Sequence, residues 1–330
     1  MSNSLEKPSE HVLAAKSIEN CPSNNCFALL IVWLLISMVI LIMIMPIHDI
    51  RRPEPYLEPK LENKLLVIFT TFKNDPNKTE IHKAVINNWS SFGKDIQPVF
   101  FYNKTSTNFW DGWALKKGWI GLPIGSTNKF GTPVLKDMQM RVSKMIKSEF
   151  YGFCNGDILF DPNMKRTLMS IWNDKNVLKN STMVIGKRTN VEYEDYYNNT
   201  KVFNTNRSLN LIATTKGSLF MEYAEDYFFI HSPENFPWDA IKDVVIGRRG
   251  YDNYLVSEAI KHNVHVIDAT NSLLAVHLTG SDGNYAGLRN IDKEYNMDLI
   301  GEYDFSLGST DHAQYYTKVD EKGNIVVLKR

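Results

Sequence analysis

Short apolar runs that alternate with helical stripes are the feature that most constrains how this chain of 330 residues can fold. The run "LLVIFT", which follows Lys64, is continuously apolar, as strands buried on both faces are. In the next stretch, "TEIHKAVINNW", Ile81, Val85 and Trp89 recur at four-residue spacing and predict a helix. Further strands are predicted at "IQPVFFY" (96–102), "FYGFC" (150–154), "MVIGK" (183–187) and "VHVIDA" (264–269).

Helices are predicted between these strands. Thr132-Pro133 resembles a helix entry, because a capping hydroxyl precedes a proline. The stripe of that helix is Val134, Met138, Val142 and Met145. Two more helices are predicted near "MKRTLMSIW" (164–172) and over "DNYLVSEAIKHN" (252–263). This alternation predicts an α/β fold with a mostly parallel, Rossmann-like sheet and flanking helices, in which ligands bind at the carboxyl ends of the strands.

One segment near the start differs from the rest of the chain. Residues 27–45 read "FALLIVWLLISMVILIMIM", with no charge and one serine. At about 1.5 Å per residue such a helix spans the roughly 30 Å hydrocarbon core of a bilayer. A cleaved signal peptide would be shorter, nearer the start and followed by small residues. We therefore predict an uncleaved transmembrane anchor at 27–45.

The anchor divides the chain into four parts. Residues 1–26 are predicted to be a polar cytoplasmic tail, and 46–63 a short stem that contains four prolines. Residues 64–330 are then predicted to be a luminal catalytic domain. The basic residues beside the span lean towards the opposite orientation, but that rule loses force when a long folded domain follows. Six Asn-x-Ser/Thr triplets favour the lumen, and they start at Asn77, Asn88, Asn103, Asn180, Asn198 and Asn206.

Charge and cysteine content exclude some classes of protein. The 37 basic and 37 acidic side chains balance, so the composition gives no indication of a nucleic-acid partner. Only Cys154 follows the anchor, so the predicted luminal domain cannot hold an internal disulfide and must be stable by packing alone.

The polar tripeptide Asn155-Gly156-Asp157 follows the predicted strand 150–154, at a strand end where a ligand would bind. A carboxylate in this position can hold a hard divalent cation, and such a cation can grip a diphosphate. The glycine lets the backbone turn tightly and lets a ligand approach. The same tripeptide is also ordinary turn chemistry, and that alternative stays open.

In its motifs, residues 64–320 of the chain resemble the GT-A glycosyltransferases, which use nucleotide sugars and are commonly type II membrane proteins of the Golgi. The resemblance depends on "YGFCNGDILF" (151–160), "VIGKRTNV" (184–191), "GRRGYDNYLV" (247–256) and "LLAVHLTGSDGN" (273–284). The first of these is similar to an Asp-x-Asp element after an apolar strand. Its first position is Asn155 here, so one carboxylate of the family pattern is missing.

The resemblance implies roles for residues at the strand ends. Asp157 would be a ligand of Mn²⁺ or Mg²⁺, and Asn155 would contact the ribose or the metal more weakly. His277 and Gly280 match a His-x-x-Gly element, in which the imidazole completes the metal shell and the glycine lies near the diphosphate. A structural histidine is the alternative for His277. Thr70 and Thr71 lie where the family holds the nucleoside.

Four further side chains are candidates for the site. Asp252 lies at a predicted helix start, where it can be an N-cap, the base that takes a proton from the acceptor hydroxyl in an inverting transfer, or both. Lys129 and Arg188 are candidate phosphate contacts. Trp238, in a loop-like segment, is the candidate aromatic for stacking on a sugar.

The sequence therefore predicts a glycosyltransferase of the Golgi membrane, single-pass and type II. It would transfer a sugar from a nucleotide donor, expected to be a UDP-sugar, to a hydroxyl of a glycan or glycoprotein. One alternative is an inactive, membrane-anchored relative that binds a glycan or a partner protein, as the missing carboxylate at Asn155 suggests. Another is a nucleotidyl enzyme of similar topology, although no glycine-rich phosphate loop follows the first strand.

Overall fold

The computed structural model describes residues 63–104, 109–178, 181–200, 205–280 and 283–330. All of these residues belong to one compact unit, Leu57–Arg330. The predicted tail, anchor and most of the stem lie outside the described residues. Within the described residues, no helix combines the length and the apolar character that a membrane span needs.

Thirteen strands are present in the described part of the chain. In chain order they are β1 (Lys64–Thr71), β2 (Ile96–Tyr102), β3 (Ile120–Pro123), β4 (Ser148–Cys154), β5 (Ile158–Phe160), β6 (Thr182–Ile185), β7 (Arg188–Glu192), β8 (Ser218–Leu219), β9 (Tyr227–His231), β10 (His265–Asp268), β11 (Ala275–Thr279), β12 (Tyr315–Val319) and β13 (Ile325–Lys329).

Eight α-helices accompany them within the same described ranges. They are α1 (Thr79–Ser90), α2 (Phe109–Lys116), α3 (Leu135–Met145), α4 (Asn163–Asn173), α5 (Tyr193–Thr200), α6 (Thr205–Lys216), α7 (Tyr251–Lys261) and α8 (Tyr295–Ile300). Short 3-10 helices span Pro76–Lys78, Pro233–Asn235, Gly283–Arg289 and Thr310–His312.

Nine of the described strands form one sheet, in the order β13-β12-β10-β6-β9-β4-β1-β2-β3. All of them run parallel except β9, which is antiparallel to β4 and β6, and β13, which is antiparallel to β12. Two clusters of buried apolar side chains pack against this sheet, with alternate residues of β1 in each. This is the mixed α/β, Rossmann-like architecture that the alternating pattern predicts.

A second sheet of four strands, in the order β5-β11-β7-β8, lies at the end of β4. Strand β5 follows β4 after only three residues, so the polar tripeptide at 155–157 is the link between the two sheets. The sequence pattern gave no indication of this sheet, because its strands are short and three of them carry few apolar residues in a row.

Most predicted elements are confirmed, and the helix entry at Thr132-Pro133 is wrong. Helix α3 begins at Leu135, and its N-cap Val134 makes no side-chain cap hydrogen bond. The hydroxyl of Thr132 instead donates to Oδ2 of Asp292 at 2.6 Å. Met145, the last residue of the predicted stripe, is 52% exposed. The core-facing part of the stripe therefore ends at Val142.

One of the glycosylation triplets is part of the packed structure. The side-chain amide of Asn88 donates to the carbonyl of Phe160 at 3.0 Å, and its Oδ1 accepts from the amide of Phe160 at 2.9 Å. Both ends of the Asn88 side chain thus hold the end of β5 against α1. The nitrogen to which a glycan would be attached is committed to this contact in the folded chain.

Candidate active site

A cleft of about 400 Å³ opens where β1 and β4 end. Its walls include Thr70 and Thr71 from the end of β1 and Asn155, Gly156 and Asp157 after β4. These strands are neighbours and run parallel, so their carboxyl ends meet at one edge of the sheet. This is where parallel α/β sheets bind ligands, and the volume is in the usual range for a small-molecule site.

Gly156 is required by the close approach of two backbone segments. A Cβ atom at this position would lie 2.9 Å from the carbonyl oxygen of Thr71 and 3.1 Å from the ring of Phe72. The turn after β4 therefore passes directly over the end of β1. The glycine allows this approach, which places the Asp157 carboxylate at the floor of the cleft.

The second sheet brings His277 to Asp157. In the antiparallel pair of β5 and β11, His277 lies opposite Ile158, the residue after Asp157. The amide of Leu278 also donates to the carbonyl of Asp157 at 2.9 Å. Nε2 of His277 consequently lies 3.5 Å from Oδ2 of Asp157. The two residues predicted to share a metal are therefore neighbours.

Asn190 orients the imidazole of His277. It lies opposite His277 in the parallel pair of β7 and β11. Its Oδ1 accepts from Nε of Arg188 at 3.1 Å, which identifies this atom as the amide oxygen. Nδ1 of His277 is 3.2 Å from the same oxygen, so Nδ1 carries a proton and Nε2 is the nitrogen that faces Asp157.

Lys78 is the third side chain at the Asp157 carboxylate. It ends the 3-10 helix after β1, it is only 9% exposed, and its Nζ lies 3.3 Å from Oδ2 of Asp157. Burial by itself would raise the pKa of Asp157, but the charge and hydrogen bond of His277, together with the Lys78 ammonium, hold this pKa well below its usual range. Asp157 is therefore an anion whose charge is already compensated.

A second carboxylate, Asp226, approaches from β9. The register of β4 with β9 pairs Cys154 with Tyr227, and the amide of Asn155 donates to the Asp226 carbonyl at 2.9 Å. The side-chain amide of Asn155 donates to Oδ1 of Asp226 at 2.5 Å. The other oxygen of Asp226 forms a buried ion pair with the guanidinium of Arg188. Asn155 therefore serves as a donor to a carboxylate.

These contacts form one continuous series, completed by Tyr251, whose hydroxyl is 3.4 Å from Oδ1 of Asn155. We call this series the cleft network. Its members are Lys78, Asp157, His277, Asn190, Arg188, Asp226, Asn155 and Tyr251. It contains charged groups of both signs and lies along the end of the large sheet and across β7 and β11 of the small one.

The donor set around Asp157 does not fit a resident Mn²⁺ or Mg²⁺. Within the described ranges, no three His, Cys, Asp or Glu side chains converge as metal ligands would. Oδ2 of Asp157, the atom that faces His277, is the atom that the Lys78 ammonium contacts. Oδ1 is buried and has no hydrogen-bond partner among the described residues. A metal ion bound by Asp157 and His277 would therefore compete with Lys78, whose ammonium group already neutralises the Asp157 carboxylate.

Asp252 lies in the first turn of α7 and is not its N-cap. The N-cap is Gly250, whose φ of 80° favours glycine. Burial raises the pKa of Asp252 to about 7, against hydrogen bonds from the backbone of Asn253 and with a further contribution from the charge of Asp226. Its neighbour Glu225 is 1% exposed, and burial raises the pKa of that carboxyl well above its usual value. Asp252 is not itself one of the described residues that line the cleft.

The structure gathers only part of the predicted set in the cleft. Thr70, Thr71, Asn155, Asp157, Arg188 and His277 line it. Lys129 and Gly280 are absent from its described lining. Lys129 is exposed at the surface, with its Nζ 5.1 Å from the centre of the Phe130 ring.

Trp238 does not face a sugar site. It is 5% exposed, its ring packs against Phe236, and its Nε1 donates to the carbonyl of Pro233 at 3.1 Å. Because the indole nitrogen is satisfied within its own loop, the residue belongs to the core. The expectation of a sugar-stacking aromatic at this position is wrong.

Sequence reasoning missed several members of the site, above all Lys78, His82 and Asp226. Lys78 occupies the middle of the triplet Asn77-Lys78-Thr79, and the sequence marks it only as part of a glycosylation signal. His82, one helical turn later, also lines the cleft, and burial lowers its pKa to about 4, so it is neutral at pH 7. The usable signal was position, because Lys78 and His82 lie in the 3-10 helix and in α1 that follow β1, and Asp226 immediately precedes β9, the neighbour of β4.

No family model matches the chain, and no curated protein matches it. Two solved structures align with parts of it. S. aureus TarS 1-349 in complex with UDP-GlcNAc is 14% identical, with a TM-score of 0.29, over 39% of this chain and 35% of that one. The inositol-1-phosphate CTP transferase from T. maritima is 14% identical, with a TM-score of 0.36, over 73% of this chain and 98% of that one. The chain thus spans about a third of the TarS structure, and both TM-scores are too low to support a statement about its family or activity.

Proposed function

We propose that this chain is a glycosyltransferase that moves a sugar from a nucleoside-diphosphate donor to a hydroxyl acceptor. The observation that carries the proposal is the cleft at the carboxyl ends of β1 and β4, whose lining places the cations Lys73, Lys78, Arg188 and Arg248 around two carboxylates. A diphosphate needs several fixed positive charges and donors, and a nucleoside needs the adjoining strand end.

Different residues of the cleft are proposed to contact the nucleoside and the diphosphate of the sugar donor. Thr70 and Thr71, at the end of β1, are the proposed nucleoside contacts. Lys78 and Arg188 are the proposed contacts of the diphosphate, since each is buried and held in place by a carboxylate. His277 and Asn190 hold the Asp157 carboxylate in position beneath it. A divalent cation, where one is bound with the donor, would neutralise more of the negative charge on the same leaving group.

The transfer itself requires one proton to move. In the proposed reaction the acceptor oxygen forms a bond to the anomeric carbon, and the bond from that carbon to the diphosphate oxygen breaks. The electron pair leaves with the nucleoside diphosphate, and the hydroxyl proton passes to a base. Asp252 is the proposed base, because its raised pKa of about 7 suits proton acceptance near neutral pH and because its charge interacts with that of Asp226, which lines the cleft although Asp252 itself does not.

The predicted setting of the reaction is part of the proposal. A signal anchor at 27–45 would hold the domain in the Golgi lumen as a type II membrane protein. The acceptor would then be a glycan or glycoprotein in the secretory pathway, and a UDP-sugar is the donor proposed first.

A donor screen tests the proposal. Full-length protein in detergent is incubated with UDP-, GDP- and CMP-sugars, with and without Mn²⁺, and release of the nucleotide is followed by chromatography. We expect release from at least one donor, and Asp157→Ala should reduce it strongly. Asp195→Ala, at an exposed surface pair with Lys216, is the matched control. Absence of release and of transfer across the panel, with folding verified, would count against an enzyme.

A binding protein without activity is the second candidate. It is favoured by Asn155, whose side-chain amide is committed to Asp226 where the family has a carboxylate. Calorimetry and the donor screen together distinguish the two candidates, because a binding protein shows nucleotide or glycan affinity in the first and releases no product in the second. The screen and the calorimetry therefore use the same preparation.

A further inference from the structure

A buried lysine occupies the place at Asp157 that a divalent cation would take. We propose that the ammonium group of Lys78 is the fixed cation that faces the donor diphosphate, so that nucleotide binding by this chain does not require a divalent metal ion. This inference rests on the proposed function, since it concerns how the same cleft holds its donor.

The fold presents Lys78 at a fixed position. Asp75 caps the 3-10 helix, with its Oδ1 accepting from the amide of Asn77 at 3.0 Å, and the amide of Lys78 donates to the Asp75 carbonyl at 3.0 Å. The side chain of Lys78 is only 11% exposed and ends at Oδ2 of Asp157. Its ammonium group is therefore held in the cleft wall before any ligand arrives, which reduces the ordering cost of binding.

A metal ion on the same carboxylate would compete with this ammonium. Nζ is 3.3 Å from Oδ2, and a Mg²⁺ ion bound about 2.1 Å from Oδ2 could be no farther than about 5.4 Å from Nζ. Both would be positive and largely shielded from water, where like charges repel most strongly. The Asp157 carboxylate thus binds either the metal ion or the ammonium group well, but not both. The fold already places the ammonium group of Lys78 there.

Neighbouring charges support the same assignment. Arg188 also lines the cleft and is 6% exposed, and Arg248 lines it beside Thr132. Each guanidinium is held by its own carboxylate, Asp226 and Asp292 respectively. The cleft therefore offers an anion several fixed cations on rigid supports. The missing first carboxylate at Asn155 agrees with this, because a second metal-facing carboxylate is not needed.

Calorimetry with and without metal tests the inference on the unaltered protein. UDP, CDP and GDP are titrated into the full chain in detergent, once with EDTA and once with MnCl₂. We expect at least one diphosphate to bind, with dissociation constants that agree within about threefold between the two conditions. Binding that appears only with Mn²⁺, or that strengthens more than about threefold, would overturn the role of Lys78 and leave the proposed function standing. Absence of binding in both conditions would overturn both.

Variants separate a role in binding from a role in stability. Lys78→Met keeps the buried stem and removes the charge, and it should weaken binding of the diphosphate by at least about tenfold. UMP, which lacks the second phosphate, should be affected less. Lys83→Met in the adjoining helix α1, where the lysine pairs with Glu80 at the surface, should bind as the unaltered chain does. If Lys78→Met folds, as circular dichroism shows, and binds UDP unchanged in EDTA, the inference is wrong.

Discussion

The side-chain amide of Asn155 and the carboxylate of Asp226 are joined by a 2.5 Å hydrogen bond across β4 and β9. Both residues immediately flank these two central strands, so the bond connects the edge of the large sheet to the ion pair of Asp226 with Arg188. The geometry explains why an amide rather than a carboxylate suits position 155. The Asp226 carboxylate, a hydrogen-bond acceptor, already faces position 155, so only a hydrogen-bond donor at that position satisfies it.

Removal of the Asp226 charge should destabilise the fold. Asp226→Asn removes the negative charge that Asp226 places against the buried guanidinium of Arg188, and breaking a buried pair in this way costs ~3–5 kcal/mol. Urea unfolding followed by fluorescence measures the difference. Asp195→Asn, in the exposed pair with Lys216, is the control and should change the free energy of unfolding by less than ~0.5 kcal/mol. Equal stabilities of the two variants would show that the buried pair contributes nothing.

A carboxylate at position 155 should not create a metal site. In Asn155→Asp two carboxyl groups would lie in contact, because the Asn155 amide and the Asp226 carboxylate are 2.5 Å apart. One of them must then stay protonated, so the melting temperature should fall relative to the unaltered chain as the pH rises from about 5 to about 8. Thermal unfolding across this range measures it. A melting temperature that rises on addition of Mn²⁺ would contradict the prediction.

The sequence predicted the large sheet better than it predicted the site. Strands β1, β2 and β4 were identifiable because each is a continuous apolar run, and their parallel order placed Asn155 and Asp157 at a ligand-binding edge. His277 reaches Asp157 through the register of β5 with β11, two short strands far apart in the chain. Pairing of this kind depends on tertiary packing, and no local pattern encodes it.

The same reason explains which site residues were missed or misplaced. Lys78 was identifiable only once the loop after β1 could be placed against the turn after β4. Trp238 is embedded in polar, proline-rich sequence that suggests an exposed loop, yet the loop folds back and buries the ring. Burial of a single side chain in a loop cannot be read from its neighbours.

The raised pKa of Asp252 predicts how activity depends on pH. Because the pKa is about 7, activity should rise as the pH increases from about 6 to about 8 and the carboxyl loses its proton. Asp252→Asn should lower the rate by ~10²–10⁴-fold and remove that limb of the profile. Asp298→Asn, an exposed aspartate in the first turn of α8, is the control. A profile unchanged in Asp252→Asn would exclude this residue as the base.

The Asp252 carboxyl group should also affect stability, with the opposite dependence on pH. The folded-state pKa of Asp252 lies above the unfolded value of 3.8, so the folded chain binds more protons in this interval. Its contribution to stability is therefore present at low pH and declines as the pH rises through about 7. Asp252→Asn should remove this decline, so that the variant gains stability relative to the unaltered chain between pH 5 and pH 8, as thermal melts would show. This readout does not depend on activity.

Gly156 should tolerate no side chain. A Cβ atom there would lie 2.9 Å from the Thr71 carbonyl, a backbone atom that cannot move away without shifting β1. Gly156→Ala should therefore displace the turn that carries Asp157 and weaken nucleotide binding by at least about tenfold. Gly112→Ala in α2 meets no atom within 4 Å and should stabilise the chain by ~0.5–1 kcal/mol. Calorimetry of UDP binding and urea unfolding together distinguish the two effects.

Trp89 connects the packing of α1 to the cleft. Its ring stacks on Trp119, with ring centres 5.2 Å apart, and its Nε1 donates to the carbonyl of Ile158 at 3.0 Å, next to Asp157. Trp89→Phe removes the donor and leaves that buried carbonyl with one partner fewer, which should cost ~1–3 kcal/mol of unfolding free energy. Trp172→Phe is the matched control, because Trp172 is 39% exposed and its hydrogen bond to Glu149 lies at the surface, so the change should stay within ~0.5 kcal/mol. Since the lost bond also fixes the start of β5, Trp89→Phe should weaken UDP binding as well, and a variant that loses stability without losing affinity would show that Asp157 is positioned by β11 alone.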